Sequence, residues 1–465
     1  MTVWRPDLSE THGPKYLAIV EAIDADIAAG ALATGTRLPT HRDLAWSLGV
    51  TVGTVSRAYA EAERRGLVSG HVGRGTYVQE PSSAMAEKQL FVTEGDEPAG
   101  PINFSFNYPA PGEEIAAIGP TLANMATDPS LGALIGYQSH AGLLRHREAG
   151  AVWLGRCGLD VDPDRVVITA GAHNAMMVAL TALTRPGGRI VTDELTYPGI
   201  QPLARIFNVK LEPLAMDRDG IRPDAFDAAC RQGDVQVLYT VPTLQNPTNV
   251  IMSADRRAEI AAVARRHNTP ILEDDIFGPM TEDAPAPICS LVPELGYYIG
   301  AVSKALAPGL RIAYMIGPPQ ATAELARAVR VSCWMASPLT AEIAARWIMD
   351  GTADRILDSR RAEGERRRRF ALTLFPDAQK DCPKGAMHVW LRLPEPWRSS
   401  DFVVEAKRRG VLVTPPEAFV VGRGAPPHAI RICLGPPRTW EKFEEGLRIL
   451  ADLVQDRPVA AQEVV

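Results

Sequence analysis

From Ile102 to about Val454, short apolar runs rich in β-branched residues alternate with stretches of helical periodicity. This alternation restricts the fold more than any other feature of the chain. Most runs are apolar at nearly every position, which is typical of strands buried on both faces of a largely parallel sheet. We therefore expect an α/β domain. The predicted strands are Arg165–Thr169, Arg189–Thr192, Val209–Pro213, Val235–Val241, Pro270–Glu273, Tyr297–Val302 and Leu310–Ile316.

The last part of the chain predicts a smaller α+β subdomain. Helical stretches such as Ala172–Leu183 and Ala254–His267 separate the strands of the main sheet. Past Leu325 the pattern is mostly helical through Phe370. Short strands then return at His388–Leu393, Val411–Val413 and Ile430–Cys433.

Length, charge and cysteine usage exclude several protein classes. A domain size of about 150 residues implies roughly three folding units, and at least two, in a chain of 465. Hydrophobic residues make up 46% and charged residues 22%, so disordered and collagen-like chains are excluded. The net charge of −6 excludes a uniformly basic nucleic-acid binder, although one domain can still bind DNA. The six cysteines are scattered without a CxxC pair, so we expect a reducing compartment and no metal site.

Hydropathy predicts a protein without membrane segments. The N-terminal stretch MTVWRPDLSETHGPK has no apolar segment of the kind found in secretory signals. No part of the chain approaches 18 uninterrupted apolar residues, so we expect no membrane span. A cytoplasmic location is therefore expected.

Residues 1–79 predict a small unit of three helices and a hairpin. Helical spacing first recurs in Tyr16, Ile19, Ile23 and Ile27. The next helix starts at Thr40, a good N-cap, with Asp43 three residues later as in a capping box. A third helix follows in TVGTVSRAYAEAERRGLV, and LVSGHVGRGTYV then predicts two short strands around a Gly-rich turn. Together these elements indicate a winged helix-turn-helix.

This unit carries side chains suited to duplex DNA. Small hydroxyl groups at the start of a recognition helix bind phosphates, and a long side chain reads the bases. The expected DNA contacts are Arg42, Thr51, Thr54, Ser56, Arg57 and, at the hairpin tip, Arg74. Six arginines and three acidic residues between Arg37 and Thr76 give a local charge of +3. The alternative is a three-helix cap with solvated charges.

The same segment resembles a known family. LPTHRDLAWSLGVTVGTVSRAYAEAERRGLV, followed by GRGTYV, is similar to the winged-helix domain of GntR-type bacterial transcription regulators over residues 14–78. The resemblance implies binding of double-stranded promoter DNA. Members of that family often have an arginine near Val52 or Ser56, and this chain does not. We therefore expect sequence readout to depend more on Arg57 and Arg42.

Residues 80–101 predict a flexible linker. The segment EPSSAMAEKQLFVTEGDEPAGP is rich in Ser, Glu, Ala and Gly, has few prolines and shows little periodicity. The chain thus divides into a DNA-binding domain at 1–79, this linker, and a large domain at 102–457.

The large domain places a lysine and an arginine between two buried strands, in YYIGAVSKALAPGLRIAYMIG. Lys304 follows the first strand among small residues, and Arg311 begins the second. A lysine that attacks an aldehyde must be neutral, and desolvation or a nearby cation favours the neutral amine. Arg311 supplies such a cation and can also hold a phosphate with its fork. The alternative for Lys304 is a solvated surface charge.

Further groups lie at strand ends. Asp274, in PILEDDIFG, can pair with a protonated pyridine nitrogen, whereas Glu273 and Asp275 are expected to be exposed loop acids. Asn246, in QNPTN, can donate to a phenolic oxygen or simply belong to an Asn-Pro turn. In TAGAHNAM, a strand gives way to a helix whose first backbone N–H groups can bind phosphate.

Two single residues complete this set. Tyr197, in ELTYPG, can stack on an aromatic ring or belong to the core. Arg431 is one charge inside an apolar strand, which indicates a partner. That partner is either the carboxylate of a ligand or a structural acid.

In this order, the segments resemble the fold type I aminotransferases, which use pyridoxal 5′-phosphate, over about residues 102–454. The resemblance implies an imine at Lys304, with Asp274, Asn246 and Tyr197 around the cofactor ring. The implied phosphate ligands are Arg311, Ser303, Ala172, His173 and, from a neighbouring subunit, Tyr137 in GYQSHAG. Arg431 is implied to bind the carboxylate of an amino compound, with His388 on the same side. Shared sites imply a homodimer, head-to-tail and domain-swapped.

Three positions depart from the pattern of this family. Relatives have a tyrosine two or three residues after the aspartate, where this chain has Ile276 and Phe277. Ala301 stands where relatives usually have serine, and Asn249 ends the Asn-Pro-Thr turn in place of glycine. We expect pyridoxal 5′-phosphate still to bind and transamination to be compromised.

A GntR-type winged helix, a linker and an aminotransferase-like domain in one chain resemble the MocR subfamily. This implies a regulator that senses an amino compound, or pyridoxal 5′-phosphate itself, through external aldimine formation at Lys304. Two other hypotheses remain open. One is an active aminotransferase with an accessory DNA-binding domain, and the other is a regulator whose large domain is only a dimerisation scaffold.

Overall fold

A computed structural model describes residues 4–6, 14–33, 35–64, 67–71, 75–78, 100–422 and 424–456. The chain divides into two compact units. The first comprises residues 1–98 together with 416–427, and the second comprises residues 99–415 and 428–465. Within the described ranges, no helix is long and apolar enough to cross a membrane.

The first unit contains three helices and an antiparallel pair of strands. They are α1 (Lys15–Ala28), α2 (His41–Leu48), α3 (Val52–Arg64), β1 (Val68–His71) and β2 (Gly75–Val78). Ile19, Ile23 and Val55 are fully buried in a common core. The helix-turn-helix and the hairpin predicted from the sequence are both present.

Local side-chain bonds fix the turn between α2 and α3. Thr40 Oγ1 accepts from the backbone N–H of Asp43 at 3.3 Å and donates to its carboxylate at 2.6 Å, which caps α2. The helix ends at Gly49, whose φ of 63° lies in the left-handed region that favours glycine. Thr51 Oγ1 then accepts from the backbone N–H of Thr54 at 3.2 Å, at the start of α3.

The second unit is built on a seven-stranded sheet with the order β4-β12-β11-β10-β9-β5-β6. All strand pairs are parallel except those of β12, which is antiparallel to both neighbours. Every strand predicted for this sheet overlaps an observed one. The bounds in this part of the chain are β3 (Ile102–Asn103), β4 (Val167–Thr169), β5 (Arg189–Asp193), β6 (Lys210–Leu214), β7 (Met216–Asp217), β8 (Gly220–Ile221), β9 (Val235–Thr240), β10 (Ile271–Asp274), β11 (Gly296–Ala301) and β12 (Ala313–Ile316).

Both faces of the sheet are buried. Along β9, Val237 and Tyr239 belong to one apolar cluster, whereas Leu238 belongs to the other. Successive side chains on a strand point to opposite faces, so two separate cores lie on the two sides of the sheet. The helices of this unit are α4 (Glu114–Ala126), α5 (Leu131–Leu134), α6 (Leu144–Gly155), α7 (Ala172–Leu183), α8 (Ile200–Ile206), α9 (Pro223–Arg231), α10 (Ala254–His267), α11 (Ile288–Leu291), α12 (Thr322–Cys333), α13 (Pro338–Met349), α14 (Thr352–Leu374), α15 (Ser399–Arg408) and α16 (Trp440–Gln455).

Small sheets lie beyond α14, as the sequence predicted. β13 (His388–Arg392) pairs antiparallel with β15 (Ala429–Cys433). β14 (Val411–Leu412) pairs in parallel with β3, which comes from the start of the unit. The chain following β3 is thereby brought beside β15, where the backbone N–H of Cys433 donates to the carbonyl of Phe104 at 2.9 Å.

Candidate functional site

Lys304 lies just after β11, at the carboxyl end of that strand. Its ammonium donates to the backbone carbonyl of Asn107 and lies 5.9 Å from the ring centroid of Tyr108. Burial, reinforced by the cations of Arg431 and Arg311, lowers the pKa of Lys304 to about 8. The structure therefore gives this lysine the environment that favours a neutral, nucleophilic amine.

Asp274 ends β10, the strand next to β11. One carboxylate oxygen accepts from the hydroxyl of Tyr239 at 2.9 Å. The other, Oδ1, is buried and has no hydrogen-bond partner among the residues that the structure describes. Burial raises the pKa of Asp274 to about 7. A buried acceptor of this kind is matched by a charged N–H donor such as a pyridinium nitrogen.

The prediction that Glu273 and Asp275 are exposed loop acids is wrong. Their exposed fractions are 0% and 2%. Both carboxylate oxygens of Glu273 accept backbone N–H bonds from the start of α11, and Arg257 lies 3.7 Å away. Asp275 accepts from the hydroxyl of Tyr298 at 2.7 Å. Both acids lie where the sheet is covered on both faces, so each is held by buried polar partners.

Arg311 lies against the start of α7. Gly171 is the N-cap of that helix, with a φ of 86°, and a Cβ there would come within 2.5 Å of Arg311 Nη2. Only glycine lets the guanidinium approach this closely. The first backbone N–H groups of the helix belong to Ala172 and His173, and Ser303 Oγ is buried without a partner in the described ranges. A helix N-terminus and a guanidinium together form an anion site.

Arg431, on β15, is 3% exposed. It donates to Asn246 Oδ1 at 2.9 Å, to the carbonyl of Ser105 at 2.7 Å and to Thr414 Oγ1 at 3.3 Å. These three acceptors are neutral groups. Asn246 Oδ1 accepts from Arg431, so the donor that the side-chain amide offers is its nitrogen.

His388 is buried on β13, and its two ring nitrogens face protein groups. Nε2 lies 2.9 Å from the carbonyl of Pro247, and Nδ1 lies 3.3 Å from the side-chain nitrogen of Asn107. Burial, together with the charge of Arg431, lowers the pKa of His388 to about 3. The imidazole is therefore neutral and acts on a ligand only through its neighbours.

The two tyrosines of the predicted set lie in different surroundings. Tyr197 is half-buried, and a Cβ at Gly199 would come within 2.3 Å of its ring. Burial and the nearby Asp274 raise the pKa of Tyr197. Tyr137 is 84% exposed, and its ring centroid lies 5.7 Å from that of Trp334. Within the described chain, no contact brings Tyr137 to Lys304.

Asn249 explains one departure from the family pattern. It has a φ of 60°, the left-handed region for which relatives use glycine and which asparagine tolerates. Its side-chain amide donates to the carbonyl of His388 at 2.9 Å, which ties the turn after β9 to β13. Ala301 and Phe277 are buried and bring no hydroxyl to the site, and Ile276 is half-buried.

Sequence reasoning missed Tyr239 and Asn107. Tyr239 pairs with Leu272 in the register of β9 and β10, two residues before Asp274. The predicted strands were enough to suggest that Tyr239 lies near Asp274, but they did not predict the hydrogen bond from its hydroxyl. Asn107 lies in SFNYP, which has no periodic pattern, and it comes near Lys304 through the pairing of β3 with β14 and the contacts of Phe104 and Ser105 with β15.

On the first unit, Arg42 and Arg57 are exposed. The guanidinium of Arg57 lies 4.2 Å from the ring centroid of Tyr16. Ser56 Oγ lies 3.1 Å from His41 Nδ1, and the hydroxyls of Thr51 and Thr54 are 2.9 Å apart. The predicted contact Arg74 lies outside the described residues.

The second unit fits pyridoxal 5′-phosphate on its own geometry. Asp274 offers an unpartnered acceptor for the ring nitrogen, and Ser303 and Arg311 offer donors for a phosphate at the start of α7. Lys304 offers an amine of lowered pKa. In the part of the chain that the structure describes, no group of three or more His, Cys, Asp or Glu residues is arranged to hold a metal ion.

Comparison with known families supports both units. Residues 122–450 match the family described as aminotransferase class I and II, and residues 15–78 match the bacterial regulatory proteins of the gntR family. The first match implies pyridoxal 5′-phosphate as the cofactor, and the second implies DNA binding.

Individual relatives match most of the chain. An HTH-type transcriptional regulator of Bacillus subtilis strain 168, YdeF, is 30% identical over 456 residues, which cover 97% of each chain. The vitamin B6 salvage pathway transcriptional repressor PtsJ of Salmonella typhimurium is 26% identical, covering 90% of this chain and 93% of its own. Among solved structures, an archaeal alanine:glyoxylate aminotransferase superposes with a TM-score of 0.70 at 23% identity, covering 85% of this chain and 99% of that one.

The chain therefore belongs to the class I and II aminotransferase family and, by its full-length relatives, to the HTH-type transcriptional regulators that join a gntR domain to an aminotransferase-like domain, the MocR subfamily.

Proposed function

We propose that this protein is a cytoplasmic transcription regulator whose affinity for promoter DNA is set by pyridoxal 5′-phosphate and a small amino compound. One observation carries the proposal. A gntR-type helix-turn-helix stands in the same chain as Lys304, half-buried and with a lowered pKa, close to Asp274, one oxygen of which has no partner among the described residues. A dimerisation scaffold alone has no need of either group.

The residues of the second unit divide the work of holding such a cofactor. Pyridoxal 5′-phosphate supplies an aldehyde that condenses with amines and a ring that withdraws electrons. Asp274 would hold the ring nitrogen, and Asn246 the ring oxygen. The implied phosphate ligands are Arg311, Ser303, Ala172 and His173. The family resemblance assigns Tyr197 to a position over the ring, and the charge of Asp274 adds to burial in raising its pKa.

Arg431 supports an amino compound with an anionic group as the effector. Its fork donates to Asn246 Oδ1, and its positive charge helps to lower the pKa of Lys304. A carboxylate or a sulfonate matches a guanidinium in charge and geometry. His388 contributes by fixing the groups around it. The name of the Salmonella relative supports a link to vitamin B6.

We further propose a homodimer with head-to-tail, domain-swapped contacts. Tyr137 is 84% exposed, which suits a side chain that reaches the phosphate of a neighbouring subunit. The ring of Trp334, which is also exposed, packs against Tyr137, and Ile135, two residues before Tyr137, is exposed as well. A ligand bound between two subunits can change the spacing of the two DNA-binding units. It does so only if it binds one conformation of the dimer more tightly than another.

The DNA contacts proposed for the first unit are Arg42, Thr51, Thr54, Ser56, Arg57 and Arg74. Arg57 is the one with a long exposed side chain on α3, so it is the best single test. Since Ile276 and Phe277 bring no hydroxyl to the end of β10, we expect transamination to be slow. The alternative, an active aminotransferase, predicts rapid turnover of an amino donor with a keto acid, and a turnover assay tests it.

Two variants test the proposal. Arg57→Ala should weaken binding to the DNA upstream of the protein's own gene without changing cofactor absorbance. Lys304→Ala should abolish the imine absorbance and the response of DNA binding to amines. Wild-type promoter affinity in Arg57→Ala at physiological salt would show that α3 is not the recognition helix. Absence of imine absorbance in the purified wild type would favour the scaffold hypothesis.

A further inference from the structure

The side chain of Asn107 carries an unused hydrogen-bond acceptor beside Lys304. Asn107 is 9% exposed, and its Oδ1 is buried without a partner among the described residues. Its backbone carbonyl already accepts from the Lys304 ammonium. A buried acceptor without a donor costs free energy unless a ligand or an ordered water supplies the missing hydrogen.

The orientation of this amide is fixed by His388. The imidazole is neutral because burial lowers its pKa, so it carries a single N–H. That hydrogen must sit on Nε2, because Nε2 faces the carbonyl of Pro247 at 2.9 Å, which can only accept. Nδ1 is then an acceptor, and the group 3.3 Å from it must be the NH₂ of Asn107. The Oδ1 atom of Asn107 is thereby turned away from His388 and stays a buried acceptor without a partner among the described residues.

The surrounding backbone has the same character. The carbonyl of Ser105 accepts from Arg431 at 2.7 Å and from Thr414 Oγ1 at 2.9 Å. With the carbonyl and the side-chain oxygen of Asn107, it makes a wall of acceptors along residues 105–107. The two carbonyls already accept from Lys304, Arg431 and Thr414, so Asn107 Oδ1 is the acceptor that pairs with an N–H or O–H group of a ligand and not with a second carboxylate.

We propose that Asn107 is a specificity-determining residue for the effector, and that the effector is an amino acid with a second hydrogen-bond donor rather than a second acidic group. Its carboxylate pairs with Arg431, and its amide, hydroxyl or ammonium group donates to Asn107 Oδ1. This inference rests on the proposed sensing role of the site.

The test uses pairs of nearly isosteric amino acids. Full-length protein loaded with pyridoxal 5′-phosphate is titrated calorimetrically with glutamine, glutamate and methionine, then with asparagine and aspartate, and with lysine and norleucine. We expect the donor-bearing member of at least one set to bind about ten-fold more tightly than its acidic or apolar counterparts. In Asn107→Leu, that preference should fall to about one-fold, while binding of the apolar member stays within about two-fold.

Two further variants separate specificity from folding. Asn107→Asp keeps the size of the side chain and adds a negative charge, so it should shift the preference toward lysine. Gln232→Leu removes an exposed amide after α9 and should leave every ratio unchanged. Equal or tighter binding of the acidic members by the wild type, or a preference that survives in Asn107→Leu, would overturn the inference. Failure of the proposed function is distinct, because it appears as missing imine absorbance in wild-type protein before any titration.

Discussion

Covalent capture of pyridoxal 5′-phosphate should follow the ionisation of Lys304. Burial and the cations of Arg431 and Arg311 lower the pKa of this lysine from 10.5 to about 8. At pH 7 the neutral amine is then about 10% of the total, against about 0.03% for an ordinary lysine, a gain of roughly 300-fold in the nucleophilic form. Capture at neutral pH therefore depends on the low-dielectric surroundings of Lys304.

The assay is rapid mixing of cofactor-free protein with pyridoxal 5′-phosphate between about pH 6 and pH 10. The rate constant should rise about ten-fold per pH unit at low pH and level off above about pH 8. Lys304→Ala should show no capture phase, whereas Lys210→Ala, which removes an exposed lysine on β6, should match the wild type. A rate that still climbs ten-fold per unit near pH 10 would refute the reasoning, because it would indicate an ordinary, solvated lysine.

Three further substitutions test the energetics. Asp274 has a pKa raised to about 7 in the folded protein against 3.8, so its contribution to stability is full at low pH and is lost as the pH rises through about 7. Asp274→Asn should therefore stabilise the cofactor-free protein at pH 8 by at most about 4 kcal/mol in urea unfolding, and a loss of stability there would contradict this. Arg257→Ala leaves Glu273 buried without its cation, so it should lower the free energy of unfolding in urea by about 3–5 kcal/mol. A decrease of less than about 1 kcal/mol would contradict this. Thr40→Ala removes the cap of α2 and should lower the stability of the first unit by about 1 kcal/mol in hydrogen exchange, with unchanged exchange counting against the cap.

The strands and the charged residues at their ends were predictable from the sequence for one physical reason. A strand buried on both faces is apolar throughout, so a polar residue at its end is conspicuous. Asp274 and Lys304 each stand directly after such a run, and neighbouring parallel strands bring their carboxyl ends together. Arg431 interrupts its run, and the structure brings its guanidinium into contact with Asn246, in the turn after β9.

Contacts between distant segments were not predictable in this way. Asn107 reaches Lys304 because its segment is held by β14 and β15, which lie more than three hundred positions away in the chain. Tyr239 reads as an ordinary core residue of an apolar strand, and its hydroxyl contact depends on the register of β9 against β10. Neither pairing leaves a periodic pattern in the sequence.

The wrong prediction that Glu273 and Asp275 are exposed is explained by the geometry of the same sheet. Three acids in a row at a strand end suggested a solvated loop, with one member turned inward. Side chains alternate along a strand, so Asp274 faces one side of the sheet while Glu273 and Asp275 face the other. That other side is also covered, because Leu238 and Ile271 belong to a second buried cluster there. Glu273 and Asp275 therefore each need a buried hydrogen-bond donor. The backbone at the start of α11 donates to Glu273, and the hydroxyl of Tyr298 donates to Asp275. In a doubly covered sheet, the acids that flank a site residue thus carry structural roles, and replacing either should disturb folding before it disturbs ligand binding.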